Sequence, residues 1–427
     1  MHKPLLISFY NDLIKHAAIV YLFFQTAIIS LIPSVTILDE FIQLSFLLGV
    51  IFFARKNESA MFVLKFYITI TIVMALMSIH AIPHRGVLNV AFQIFVHTKY
   101  ILYVAGIFIF FDVKRIRFLI SILMAISTFF LFFDLAFPGV LHKFFGADIV
   151  LRGDVIRLVG IQAHTGTLGF VFSLFSVYVL FKFKRENYLW YILFLLCVAL
   201  VLLTSVRTAM LAFPIVLLWL FKDSLKQASF LIVLLIPALI MFSKTKYADE
   251  LVYITQQNIE MSIEDPQKSA YIRGMMLYFS FELANENFPI GTGAATFGSV
   301  RSDDSNVYAY LGVHNSRFFI EKDGIYDSNF ASILGEFGYI GLLFYVAFFL
   351  FLTNPKLLPK GYELGDGCYP LIILFVLYSF TNPVFMNTFQ IFSFALFYFA
   401  SIRKKSEQKN EITSTSQSSN ERYLISG

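Results

Sequence analysis

Twelve apolar runs, each long enough or nearly long enough to cross about 30 Å of hydrocarbon, dominate this sequence and leave it few possible folds. They fall at 17–37, 39–54, 61–82, 92–111, 118–137, 166–183, 189–205, 208–221, 228–243, 332–352, 368–382 and 384–401. Lipid offers no hydrogen bonds, so every backbone N–H and C=O in such runs must be satisfied within the chain. The expected fold is therefore all-α: a polytopic integral membrane protein of about twelve transmembrane helices. With 58% hydrophobic and only 14% charged residues, the composition exceeds what a water-solvated surface accommodates. The 52 phenylalanines suit lipid-facing and interfacial positions, and the two Trp and 22 Tyr supply aromatic belts. The first apolar run, following a basic start, reads as an uncleaved first helix.

Basic residues near helix ends are retained in the cytoplasm, and they recur after every even-numbered run. Arg55 and Lys56, Lys114 to Arg117, Lys182 to Arg185, Lys222 and Lys226, Lys356 and Lys360, and Arg403 to Lys405 mark one face. Both termini are thereby expected on the cytoplasmic side. The chain then divides into a cytoplasmic N-terminus at 1–16, helices one to nine at 17–243 with an outward loop at 138–165, and a large, partly helical periplasmic loop at 244–330. Helices ten to twelve follow at 331–401 and a disordered polar tail at 402–427. From Lys244 to Asn329 the loop carries 12 acidic and 7 basic residues, so its basic residues act locally rather than as a general anion-attracting field. With only Cys197 and Cys368, neither in that loop, it must hold its shape without a disulfide. Among charges inside the runs, Lys65 is the main exception to an almost uncharged middle, which weighs against a transport pathway.

Four constellations stand on the outward side. The first runs from Arg152-Gly153-Asp154 through Arg157-Leu158-Val159-Gly160 to His164-Thr165-Gly166 and Gly169. Its glycines let backbone approach closely and Arg157 can present a planar fork to a phosphate; the plainer alternative is a capped loop with an interfacial Arg. The second is Thr204-Ser205-Val206-Arg207-Thr208-Ala209. A charge at membrane depth costs roughly 2.5 to 3.5 kcal/mol on insertion scales, so Arg207 needs a partner, a wet cavity or an interfacial position. Third comes Arg273, on an amphipathic helix expected over Ser269–Asn287, and then Phe288-Pro289-Ile290-Gly291-Thr292-Gly293, whose Gly291 and Gly293 can turn backbone N–H groups toward an anion or simply shape a turn. The fourth is Asp327-Ser328-Asn329 with Glu336, Gly338 and Gly341. Asp327 is either a helix N-cap or a functional carboxylate, and Glu336 lies more than two helical turns away, so the two are not an adjacent pair. His314 is a further candidate base. Metal-ligand spacings, phosphate-binding glycine loops and nucleophile elbows do not occur.

In this order and on this topology, the motifs resemble the family of O-antigen polymerases and O-antigen ligases, multi-spanning enzymes of bacterial surface-polysaccharide assembly. The matching elements are Arg157 to Gly160 with Gly169, Ser205-Arg207-Ala209, Arg273 with Pro289 to Gly293, and Asp327-Ser328 with Glu336-x-Gly338-x-x-Gly341. In ligases the last motif typically begins with His; here Asp327 stands at that position, which favours a polymerase.

The resemblance implies a glycosyltransferase that moves a growing glycan from undecaprenyl diphosphate to a hydroxyl of another lipid-linked repeat unit, within the bilayer's outer face. Arg157, Arg207 and Arg273, with His164, Gly291 and Gly293, would bind the diphosphate; Asp327, Glu336 and His314 are the candidate catalytic residues. One base and no protein nucleophile imply inversion at the anomeric carbon. No cofactor, metal or nucleic acid is expected. A chain-length regulator and a flippase are the implied protein partners, alongside the lipid bilayer and the undecaprenyl diphosphate-linked oligosaccharide. A ligase acting on lipid A core, and a polysaccharide flippase or secondary transporter, are the alternatives.

Overall fold

The computed structural model describes residues 3–149, 151–152, 155–182, 188–220 and 271–405, with a few isolated positions between 249 and 264. The ninth apolar run, the first part of the long loop, Gly153, Asp154 and the polar tail from 406 lie outside the described residues. What is described is helical, apart from two short antiparallel ladders that pair Leu151–Arg152 with Val155–Ile156 and Tyr362–Glu363 with Arg403–Lys404.

Eleven of the twelve expected runs coincide with apolar helices, but few are straight or long. Among the described residues four are long and apolar enough to cross a membrane: the stretch Pro33–Ala54 containing α3 (Leu38–Ala54), α4 (Glu58–Met77), α8 (Val113–Ala136) and α10 (Thr165–Lys182). Three runs are bent pairs: α1 (Lys3–Phe23) with α2 (Gln25–Leu31), α6 (Val87–His97) with α7 (Lys99–Phe110), and α16 (Asn329–Gly341) with α17 (Leu343–Thr353). Their bends are 81°, 45° and 89°. Counting each bent pair once gives up to seven candidate spans among the described residues. The remaining apolar helices, α11 (Tyr188–Leu203), α12 (Arg207–Leu220), α18 (Cys368–Tyr378) and α19 (Thr388–Ser401), are shorter than a straight crossing requires. Between α8 and α10 lies the short α9 (Val140–Phe145).

The bundle closes around α7, α10 and α19, buried on nearly every side. Phenylalanine is central to this core, which the sequence reading placed mainly against lipid. Phe375 and Phe394 lie 4.4 Å apart between ring centroids, and Phe348 packs edge-on against Phe385 at 5.0 Å. Rings fill large volumes with two side-chain torsions, so an aromatic core loses little rotamer entropy on packing. Others, such as Phe52, 71% exposed, do face outward.

The described part of the long loop has its own core. Met275, Met276, Phe279 and Leu283 on α13 (Ile272–Glu286) pack with Phe297, Tyr308, Phe319 and Ile325. Apolar burial thus does here what a disulfide does elsewhere, and both cysteines are buried and free. Within the loop, α14 (Asn306–Tyr310) and α15 (Arg317–Glu321) are single turns.

Candidate functional site

Asp134 on α8 organises the loop ahead of α10. Its buried Oδ2 accepts the backbone N–H groups of Val159 (2.8 Å) and Gly160 (3.0 Å), while Gln162 donates to Ser127 at 2.9 Å. Gly160 takes φ +53, and a Cβ there would stand 2.8 Å from Leu168. The stretch beginning at Arg157 is therefore clamped to the bundle by its backbone, and His164 follows at the entrance of α10. Its Nδ1 accepts the N–H of Gly166 at 3.2 Å and of Thr167 at 3.4 Å, so the imidazole caps the helix. That bond requires an unprotonated Nδ1 and leaves Nε2–H as the outward donor in the neutral ring. The pKa of His164 is held below the ordinary 6.5, first by desolvation and then by the charges of Arg157 and Arg273, against the opposing pull of Asp327. His164 is exposed at the surface, so this desolvation is partial.

On α10, Gly169 is the contact point for the second motif: a Cβ there would lie 2.6 Å from Val206. The turn before α12 carries Ser205 at φ +55, and Thr208 meets Thr381 hydroxyl to hydroxyl at 2.7 Å. These contacts set Arg207, the first residue of α12, at the end of the bundle where α18 stops.

Arg273, in the first turn of α13, donates to Asp327 Oδ2 from Nη2 at 2.8 Å and from Nε at 3.2 Å. Both side chains are about one-third exposed. The N-cap of α16 is Ser328, whose side chain accepts from Ala331 N–H, so Asp327 does not take the capping role that was one of its two readings. Asp327 is thereby released from local helix duty. Arg207 and Arg273 line one cavity of about 540 Å³ with Thr208, Tyr271, Thr381 and Glu260, walled on its apolar side by Met210 and Leu211. Arg157, His164, Arg207, Arg273 and Asp327 thus converge at one end of the bundle, with an apolar wall and three guanidinium groups.

The remaining candidates lie apart from this convergence. His314 is exposed on the turn ahead of α15. Glu336 is fully buried: Oε1 accepts from Thr296 N–H (3.0 Å), Phe297 N–H (3.3 Å) and the Ser299 hydroxyl (2.5 Å), while Oε2 lies 2.7 Å from His97 Nε2. A carboxylate so occupied is an anchor for the 293–299 backbone. The glycine turn is similarly engaged. Gly291 N–H donates to Asn287 C=O, Thr292 N–H to Gly335 C=O and Gly293 N–H to Glu336 C=O, leaving none of the three for an anion. The carbonyls of Gly335 and Glu336 are available because Gly338, at φ +59, interrupts the ladder of α16. Ile340 N–H completes the exchange by donating to Pro289 C=O.

Several buried ionisable groups escaped the sequence reading. Lys99 and Asp134 are buried inside apolar runs, whereas Lys65 is exposed, so the middle of the bundle is more charged than expected. Lys99 meets Asp39 at 3.2 Å and donates to Thr388 at 3.1 Å. Arg85 reaches Ala295 C=O (2.6 Å), Arg301 C=O (2.5 Å) and Asp304 (2.6 Å). An ionisable residue inside an apolar run was the signal that could have found His97 and Lys99. Among the described residues no group of three or more His, Cys, Asp or Glu could hold a metal ion.

Residues 192–346 match the family model described as O-antigen ligase. That stretch contains Arg207, Arg273, Asp327 and Glu336, and ends before α18. No curated protein and no solved structure matches the chain.

Proposed function

We propose that this chain, a member of the O-antigen ligase and polymerase family, is a surface-polysaccharide polymerase that lengthens a glycan on undecaprenyl diphosphate at the outer face of a bacterial inner membrane. The observation that carries the reading is the pairing of Arg207 and Arg273 across one cavity with an apolar wall, beside Arg157, His164 and Asp327. A lipid diphosphate needs that combination: hydrocarbon contact for the prenyl chain and fixed cations for the head. Guanidinium groups hold phosphate oxygens in bidentate, charge-assisted contacts and stay protonated. The neutral tautomer of His164 adds a donor at Nε2. In the transfer, the acceptor hydroxyl oxygen attacks the anomeric carbon, its proton passes to a carboxylate, and the bond to the diphosphate breaks with its electrons on the leaving group. Asp327 is the carboxylate we assign, since Glu336 is closed off by four partners. Such a base contributes roughly 10² to 10⁴ in rate. Displacement without a protein nucleophile inverts the anomeric carbon, and the scheme calls for no metal.

Polymerase is favoured over ligase by Asp327, which stands where ligases typically have His. The test is the lipopolysaccharide or capsule ladder of a strain lacking the gene, complemented with wild type or Arg273→Ala. A core with a single repeat, extended to a ladder only by wild type, is the expected result. A core with no repeat and polymer retained on its lipid carrier would make the chain a ligase. An unchanged ladder would sink both readings for that polysaccharide.

A further inference from the structure

At the end of the bundle opposite this site, a second cavity of about 510 Å³ opens where the turn between α3 and α4 meets the turn after α17. Arg55 and Lys56 come from the first turn, Lys65 from two turns into α4, and Lys356 from the 3-10 turn Pro355–Leu357. All four cations are exposed, and no ion pair among the described residues neutralises any of them. Glu58, in the first turn of α4, is the only carboxylate in the lining.

The fold enforces this meeting of like charges. Phe351 on α17 stacks on Phe66 at 4.7 Å and on Phe62 at 5.9 Å, which brings the following turn against α4. Asn354 accepts the N–H of Lys356 at 2.9 Å, and buried Leu357 anchors the same turn. Met61 and Phe62 give the cavity an apolar wall. From Glu58, α4 runs 20 residues, about 30 Å, to Met77. The next residue, Ser78, accepts Ala294 N–H from the long loop at 3.0 Å. The basic cavity therefore lies about the length of α4 from the end that meets the long loop, the loop that carries Arg273 of the proposed catalytic cavity. Four clustered cations repel one another, and Lys65 on an apolar helix needs an anion or water at its depth.

We propose that this cavity binds the phosphate headgroup of an anionic phospholipid from the leaflet opposite the catalytic site, with Arg55, Lys56, Lys65 and Lys356 as ligands and Met61 and Phe62 against the first part of an acyl chain. The site is independent of the polymerase reading. The full chain, purified and delipidated, is examined by native mass spectrometry with phosphatidylglycerol, with phosphatidylethanolamine and with inorganic phosphate as competitor. Phosphatidylglycerol should be retained and phosphatidylethanolamine lost. Each cation removed should weaken retention roughly fivefold, so that Lys65→Gln with Lys356→Gln together weaken it roughly 25-fold. Arg317→Gln, whose guanidinium pairs with Glu321 on the loop, should leave retention unchanged and serves as the charge-matched control. Persistence of phosphatidylglycerol in millimolar phosphate supports the lipid source; full displacement by phosphate at equal concentration overturns it in favour of a free phosphate anion. Equal retention of both lipids, or retention unaltered in a double variant that elutes as a monodisperse species, overturns the site.

Discussion

Two carboxylates nine residues apart illustrate how burial separates roles that sequence leaves equivalent. Asp327 is partly exposed and shares Oδ2 with a partly exposed arginine; Glu336 is fully buried and saturated by two backbone N–H groups, a serine hydroxyl and His97. The first can release a partner when a ligand arrives, whereas the second cannot without stranding donors in the interior. Asp327→Asn should leave the melting temperature of the detergent-solubilised protein within experimental error and abolish polymer, a loss of roughly 10²-fold or more. Glu336→Gln should instead destabilise the fold by about 3 kcal/mol, because it removes the charge around which buried donors are arranged. Thermal unfolding and the ladder together read the distinction: a stable, inactive Glu336→Gln protein would return that residue to the catalytic role.

At the scale of elements, the two glycine motifs are halves of one joint. Gly338 breaks α16 and frees two carbonyls; the Pro289 to Gly293 turn fills them and returns Pro289 C=O to Ile340 N–H. The approach is so close that a Cβ on Gly338 would stand 2.4 Å from Pro289 O, and one on Gly291 2.5 Å from Gly338 N. Since Gly338 also takes a positive φ, side chains are excluded by conformation as well as by space. Gly338→Ala should lower stability by about 3 kcal/mol, with Gly291→Ala similar and the double variant scarcely worse than either, because one contact is broken only once. Melting temperatures of the three proteins measure this; simple additivity would show that the turns are independent.

Over the whole molecule, the described part of the long loop is fastened to the bundle by buried polar contacts. Among the described residues the ties include Ala294 N–H to Ser78, Glu336 between His97 and the 296–299 segment, Arg85 to the carbonyls of Ala295 and Arg301, and Arg301 N–H to Gln93. Arg85 is buried and donates charge-assisted bonds, each worth about 1.5 to 3 kcal/mol. Arg85→Met should open the 295–304 segment to limited proteolysis and shorten the ladder without abolishing it; unchanged cleavage would show that the other ties suffice. The apolar runs already determined an all-α membrane chain, because hydrocarbon forces helices whatever their partners, and motif order along the chain pointed to the same family whose model matches residues 192–346. Sequence could not tell that His97, in an apolar run, meets Glu336 across 239 positions, or that the Thr292 and Gly293 N–H groups reach the carbonyls of Gly335 and Glu336 beside the kink at Gly338. Nor could it separate straight spans from pairs bent by up to 89°, since hydropathy sums along a segment and is blind to a single residue's φ. Which carboxylate is buried, which arginines share a cavity and which cations gather in a second one are properties of long-range packing, and only the tertiary structure decides them.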